Sequence, residues 1–243
     1  MMNKSLSCKF AQKEETPGSE LKAELISAGA AIVGFACVRG AASGEIAHLE
    51  SAVSIGVVKN LNEETVKLLL ALQKKASVFL KALGYRYFCI PPDSDRVKDT
   101  FASSLYPLFT HKMAATLAGL GWIGRNGLLI NPVHGPRLSL ATVLTDAPLE
   151  SGAPVTCSRC GECTLCMDFC PSHAIAGKEW SMGEPYIELV KAKRCAAHKG
   201  RAKATKGKPN CGLCINICPY GRRDFSAAGE NAGDAGSWKV KSS

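Results

Sequence analysis

Five cysteines fall within the stretch CSRCGECTLCMDFCP, from Cys157 to Pro171. Cysteines two residues apart suit a shared metal centre better than a bridge to one another, and thiolates are soft donors for iron, zinc or copper. Counted back from Pro171, Cys160, Cys163, Cys166 and Cys170 read C-x2-C-x2-C-x3-C-P, which leaves Cys157 outside the register. A second block, Cys211, Cys214 and Cys218 before Pro219, reads C-x2-C-x3-C-P and is one cysteine short. Cys195, sixteen residues before Cys211, supplies the missing thiolate. The result is two sets of four donors.

Two sets of four thiolates suit two 4Fe–4S clusters. The first run has the spacing of bacterial ferredoxins, in which the fourth cysteine ligates the other cluster. That crossing predicts one cluster on Cys160, Cys163, Cys166 and Cys218, and the other on Cys170, Cys195, Cys211 and Cys214. The x2 loops wrap one face of a cluster, the x3 step turns the chain, and the proline after each crossing cysteine fixes the turn. Zinc is the alternative metal, but its sites separate C-x2-C pairs by a dozen or more residues and often include histidine. Two C-P blocks in one chain fit zinc poorly. Cys8, Cys37 and Cys89 lack any partner spacing and read as buried, inert thiols.

The cysteine-rich segment, residues 156–225, needs a scaffold, and residues 18–155 read as one. A helix opens near Ser19, with Leu21, Leu25 and Ile26 on one face. AIVGFACV and SAVSIGVV read as strands. The strongest helix runs from Asn62, a cap followed by Glu63 and Glu64, to Gly84. YRYFCIP is a third strand, and strand–helix–strand order predicts an α/β layer. A helix ending near Leu117, a glycine-rich turn at Gly119–Gly127, strands in LLINP and RLSLATVLTD, and a linker at 151–155 follow. Residues 1–17 read as a flexible leader and 226–243 as a small, polar, disordered tail.

The sequence has 243 residues, 46% hydrophobic and 21% charged, ordinary for a globular protein. It shows no secretion signal and no apolar run long enough for a membrane span, so a cytoplasmic protein with reduced thiols is expected. Of the net charge of +9, residues 1–150 carry 16 basic against 13 acidic side chains, and residues 151–243 carry 14 against 8. Much of that excess lies in the strip 191–208. Such a strip suits nucleic acid or an acidic redox partner, or is a solvated loop that maintains solubility.

AGLGWIGRN at 118–126, CGECTLCMDFCPSHAI at 160–175, KRC at 193–195 and CGLCINICP at 211–219 follow one another in an order that resembles the epoxyqueuosine reductase family. These are cobalamin-dependent iron–sulfur enzymes that modify tRNA and are related to reductive dehalogenases. The likeness spans about residues 20–225. It implies an α/β (α+β) N-terminal domain of the nitroreductase-like, cobalamin-binding type, joined to a ferredoxin-like domain with two 4Fe–4S clusters. Electrons would enter from an external flavodoxin- or ferredoxin-type donor and pass through the clusters to a corrinoid, which reduces a small or tRNA-borne substrate. The strip 191–208 would be the tRNA contact. The family's full-length enzymes carry C-terminal helical repeats; this sequence ends 25 residues after Cys218 and reads as a short form. A non-catalytic ferredoxin-type electron carrier and an RNA-binding accessory protein are the alternative readings.

Gly119, Gly121 and Gly124 spell G-x-G-x-x-G, but they follow a helix rather than a strand, which argues against a dinucleotide turn. In the light of the resemblance they let the backbone approach a large flat cofactor, with Arg125 and Asn126 binding its amides or phosphate. A plain helix-ending turn is the alternative. Where the family places an acidic proton donor, this chain reads SSLYPLFTHK. His111 and Tyr106 are therefore the candidate catalytic groups.

Overall fold

The computed structural model describes residues 16–40, 46–59, 62–92, 109–183, 186–206 and 211–221. Helix α1 (Pro17–Ser27) is capped by Thr16, three residues before the expected Ser19, and Pro17 takes the first turn, where no N–H is needed. Strands β1 (Ile32–Cys37) and β2 (Ser51–Val57) follow. Helix α2 (Glu63–Ala82) begins at Asn62, whose side-chain oxygen accepts from the Thr65 N–H at 2.9 Å. Strand β3 is Tyr87–Ile90, α3 is His111–Leu117, and the short strands β4 (Trp122–Ile123) and β5 (Leu129–Ile130) form a hairpin. Strand β6 spans Ser139–Thr145.

The main sheet has the order β1-β2-β6-β3, and every neighbouring pair is antiparallel. The strand–helix–strand order pointed to an α/β layer, but β2 and β3 do not pair; β6 lies between them. The domain is therefore an α+β arrangement with helices on both faces. Val53, Ile55 and Val143 meet Leu21, Leu25, Leu69, Leu72 and Leu80 of α1 and α2 on one face. Ala52 and Leu144, one residue out of phase, meet Phe109, just before α3, and Ala114 of α3 on the other. Side chains alternate across a strand, so only a strand covered on both sides can be buried at every position, as β2 is.

Gln73 of α2 closes the β3–β6 edge. Its buried amide donates to the Ile90 carbonyl at 2.7 Å and the Thr142 carbonyl at 2.8 Å, where the β3–β6 pairing ends. Each such bond contributes about 1 kcal/mol net, and far more is lost if its buried carbonyl is orphaned. Cys37 was expected to be buried but is exposed, because it ends an edge strand. Cys89 fits the buried reading better: burial pushes its thiol up to about 11.

The cysteine-rich segment carries little regular structure: α4 (Leu165–Asp168), a single 3-10 turn (Tyr186–Leu189), α5 (Ala192–Lys206) and α6 (Leu213–Asn216). The basic strip, expected as a loop, is thus mostly the helix α5. Its run of alanine, lysine and arginine favours helix, and the Lys191 carbonyl accepts from Arg194 and Cys195 to open the first turn. Cys195 is thereby fixed on a helix start. Among the described residues no helix is long and apolar enough to cross a membrane.

Candidate metal centre

The glycine-rich turn is the seat on which the cysteine-rich segment rests. Gly119 has φ 73°, and a Cβ there would enter the Ala153 carbonyl. At Gly121 a Cβ would enter the Ile130 carbonyl, and at Gly124 it would meet the Ile130 side chain and Asn126 Oδ1. The room left by all three glycines is filled by the chain itself. Residues 151–155 are held down rather than loose: Gly152 N–H donates to the Phe35 carbonyl, and Val155 N–H to the Thr116 carbonyl, each at 2.9 Å.

Arg125 and Asn126 lie between β4 and β5, and both reach into the cysteine-rich segment. Arg125 donates from Nη1 to the Gly177 carbonyl and from Nη2 to the Gly161 carbonyl at 2.7 Å, and Nη2 also pairs with Glu179 at 2.9 Å. Asn126 donates to the Cys214 carbonyl at 3.2 Å and accepts from the Leu128 N–H at 3.1 Å. Trp122 meets Tyr220 edge-on, ring centres 4.9 Å apart, and the Tyr220 hydroxyl donates to the Arg159 carbonyl at 3.0 Å. Trp122, Ile130, Val155 and Cys218 form one apolar cluster; Ile123 and Leu129 form another with Trp180 and Leu189. Gly135 and Gly221 lock the far end, since a Cβ on either would enter the backbone of the other strand of chain.

Cys160, Cys163, Cys166 and Cys218 line one cleft. Burial, then the nearness of Cys160, Cys163, Cys214 and Cys218, pushes the Cys166 thiol up to about 12. Burial likewise pushes Cys218 up to about 11, with Cys160 and Cys163 adding to it. Cys214 is raised by burial and then by Cys195, Cys211 and Cys170. Cys170 moves the other way: burial would raise it, but N–H groups around Ala174 and the Ser172 hydroxyl outweigh that. Apart from the influence of Cys214 on Cys166, the electrostatic neighbourhoods form two groups, Cys160–Cys163–Cys166–Cys218 and Cys170–Cys195–Cys211–Cys214. Their membership is the same as in the crossing read from the spacing. Cys157 stands apart, exposed, in an isolated bridge with Ser181.

Crowded thiols that repel one another's anions call for positive charge among them. Among the described residues no three His, Cys, Asp or Glu side chains converge on a point where a single ion could sit. Cys160, Cys163, Cys166 and Cys218 line a cleft instead, which suits a cluster better than zinc. Two buried N–H groups, Arg125 Nε and Trp122 Nε1, have no partner among the described residues. Both belong to residues packed around Cys160 and Cys218. Buried donors are almost always satisfied, and sulfur is the acceptor that this surrounding would offer them. The residues present therefore fit an iron–sulfur cluster.

His111 sits at the start of α3 and is buried. Its Nε2 faces the Pro91 carbonyl at 3.0 Å, and its Nδ1 faces Thr142 Oγ1 at 2.9 Å. A carbonyl only accepts, so Nε2 carries the proton and donates. Lys112 donates to the Gly127 carbonyl at 2.7 Å. Tyr106 lies outside the described residues. Tyr220 escaped the sequence reading; its one signal was an aromatic directly after the second Cys-Pro.

Residues 159–221 match the 4Fe-4S double cluster binding domain family. The chain is similar to the epoxyqueuosine reductase of Synechococcus sp. (strain RCC307), 33% identical over 139 residues, covering 54% of this chain and 40% of that protein. Its fold is similar to that of an epoxyqueuosine reductase solved with an epoxyqueuosine-modified tRNA-Tyr stem loop, with TM-score 0.58 and 18% identity over 83% of this chain and 64% of the other. It is also similar to a reductive dehalogenase whose structure suggests a mechanism for B12-dependent dehalogenation, with TM-score 0.61 and 19% identity over 90% of this chain and 34% of the other. The chain thus spans about two fifths of the length of the curated relative it matches. It carries the mixed α and β domain and the two-cluster segment that the resemblance implied.

Proposed function

We propose that this chain is a cytoplasmic iron–sulfur oxidoreductase of the epoxyqueuosine reductase kind. The observation that carries the reading is the crossed grouping of eight thiols beneath the β4–β5 hairpin. Cys160, Cys163, Cys166 and Cys218 would hold one 4Fe–4S cluster, and Cys170, Cys195, Cys211 and Cys214 the other. When bound, the clusters supply one-electron carriers, and a corrinoid supplies a low-potential metal centre for reducing a small or tRNA-borne substrate.

The residues of this chain position that chemistry. Asn126 ties the second cysteine block to the hairpin, and Arg125 ties down the loop between Cys160 and Cys163. Trp122 and Tyr220 keep water from the Cys218 side. Because Gly119, Gly121 and Gly124 pack against the chain itself, a corrinoid would be held by other residues. His111 acts by position, joining α3 to β6 and to Pro91, and Tyr106 is the remaining candidate for proton transfer. Lys191, Lys193, Arg194, Lys199 and Arg201 are exposed on or beside α5. They suit the phosphates of a tRNA, with the electron donor approaching the second cluster.

Anaerobic purification from a corrinoid-replete host tests the reading. About eight irons per chain, matching sulfide, and cobalt are expected. Full iron without cobalt would leave a ferredoxin-type electron carrier. Affinity for a tRNA anticodon stem loop is expected to fall steeply with salt, as counterion release requires. No binding at about 50 mM salt would remove tRNA as the partner.

A further inference from the structure

We infer that Arg125 donates a hydrogen bond from Nε to a sulfur of the first cluster and makes that cluster easier to reduce. The inference rests on the proposal that Cys160, Cys163, Cys166 and Cys218 hold that cluster.

The side chain cannot swing freely. Nη1 is held by the Gly177 carbonyl, and Nη2 by the Gly161 carbonyl and the Glu179 carboxylate. Gly161 lies between Cys160 and Cys163, so this grip sets the guanidinium beside the loop that carries two ligands. Arg125 is 16% exposed, whereas its partner Glu179 is 48% exposed. Water therefore weakens the acid's compensating charge more than it weakens the cation. The remaining donor, Nε–H, is buried without a partner among the described residues, and Arg125 lines the same cleft as Cys160, Cys163 and Cys166. A guanidinium only donates, so the missing partner must be an acceptor, and sulfur is the acceptor that a cluster in this cleft presents.

The effect follows from charge. A cluster held by four thiolates is anionic, and taking up one electron from an external one-electron donor makes it more so. A fixed cation with an N–H aimed at sulfur stabilises the reduced form more than the oxidised one. Hydrogen bonds to sulfur and local charge are among the features that set such potentials.

The test uses the full chain, purified without oxygen, with dithionite as the electron source. Arg125→Lys keeps the positive charge and removes Nε–H. Its first cluster is expected to be reduced about tenfold less favourably, which is a shift of 59 mV downward for one electron. The second cluster should not move. In the unmutated protein grown on arginine labelled with 15N at Nε, the reduced first cluster should show a 15N coupling by electron–nuclear double resonance. That coupling should persist in Arg137→Lys and Arg159→Lys.

A fully loaded Arg125→Lys with an unshifted potential overturns the inference. So does a labelled, fully loaded protein without the coupling, or one whose coupling vanishes in either control. The labelling arm decides the matter even where Arg125→Lys fails to fold. Purified protein without iron would instead overturn the proposed function, and the iron count tells the two failures apart.

Discussion

The side-chain amide of Asn126 donates to the backbone carbonyl of Cys214 at 3.2 Å, across 88 positions of sequence. The same side chain accepts from the Leu128 N–H, which fixes which end of the amide is nitrogen. One residue of the β4–β5 hairpin therefore ties the second cysteine block to the sheet domain, beside the packing of Trp122 and Ile130 on Cys218 and Tyr220.

Asn126→Asp keeps the acceptor for Leu128 and places a carboxylate against the Cys214 carbonyl. The expected loss is about 1–3 kcal/mol of stability, the usual result of turning a buried hydrogen bond into an unmatched pair of acceptors. It is read as a lower melting temperature together with faster iron loss to a chelator. Wild-type values for both would mean that the Cys214 loop is held by something else.

Cys157 and Cys166 separate the two possible registers. Cys157 is exposed and stands outside both thiol groups, so Cys157→Ser is expected to retain about eight irons and to change stability by less than about 0.5 kcal/mol. Cys166 sits among Cys160, Cys163 and Cys218, and Cys166→Ser is expected to lose one cluster. Iron and sulfide analysis decides it: full iron in Cys166→Ser would shift the register by one cysteine.

That these thiols lie close to one another was readable because cluster ligation imposes short, fixed spacings. Asn62 and Gly84 framed α2 for a similar reason, since caps are local chemistry. Strand order was not readable. Whether β2 pairs with β3 or with β6 depends on contacts far apart in sequence, and the local periodicity is the same either way. The targets of Arg125 and Asn126 were hidden in the same way: their partners lie 36 to 88 residues downstream. Nothing in GWIGRN itself says whether a polar pair faces a cofactor or a second segment of the same chain.

The Trp122–Tyr220 contact is expected to couple the hairpin to the end of the cysteine-rich segment. The rings meet at 83° with centres 4.9 Å apart, within the range of edge-to-face pairs. Trp122→Ala is expected to cost about 3–5 kcal/mol, since it empties a buried aromatic site. Tyr220→Leu keeps bulk but loses the ring and the bond to the Arg159 carbonyl. A double-mutant cycle should return a coupling of about 0.5–1.5 kcal/mol. Additive losses would show that the two residues pack independently.

Cys89 provides the pH dependence. It lies on β3 and packs against the core between the sheet and α2, and burial pushes its thiol up to about 11. The ordinary thiol value in an unfolded chain is about 8.5. Below that value both states keep the proton, and Cys89 does not oppose folding. Between about 8.5 and 11 the unfolded chain releases the proton while the folded chain holds it, so rising pH favours unfolding. Stability should therefore fall through this window more steeply in the wild type than in Cys89→Ala. The variant should begin less stable at pH 7, having lost the packed sulfur, and the gap should narrow as the pH is raised. Melting curves at pH 7, 9 and 10.5 measure it. A gap that stays constant would mean that the Cys89 thiolate is solvated in the folded protein, and that β3 is open to water at its edge.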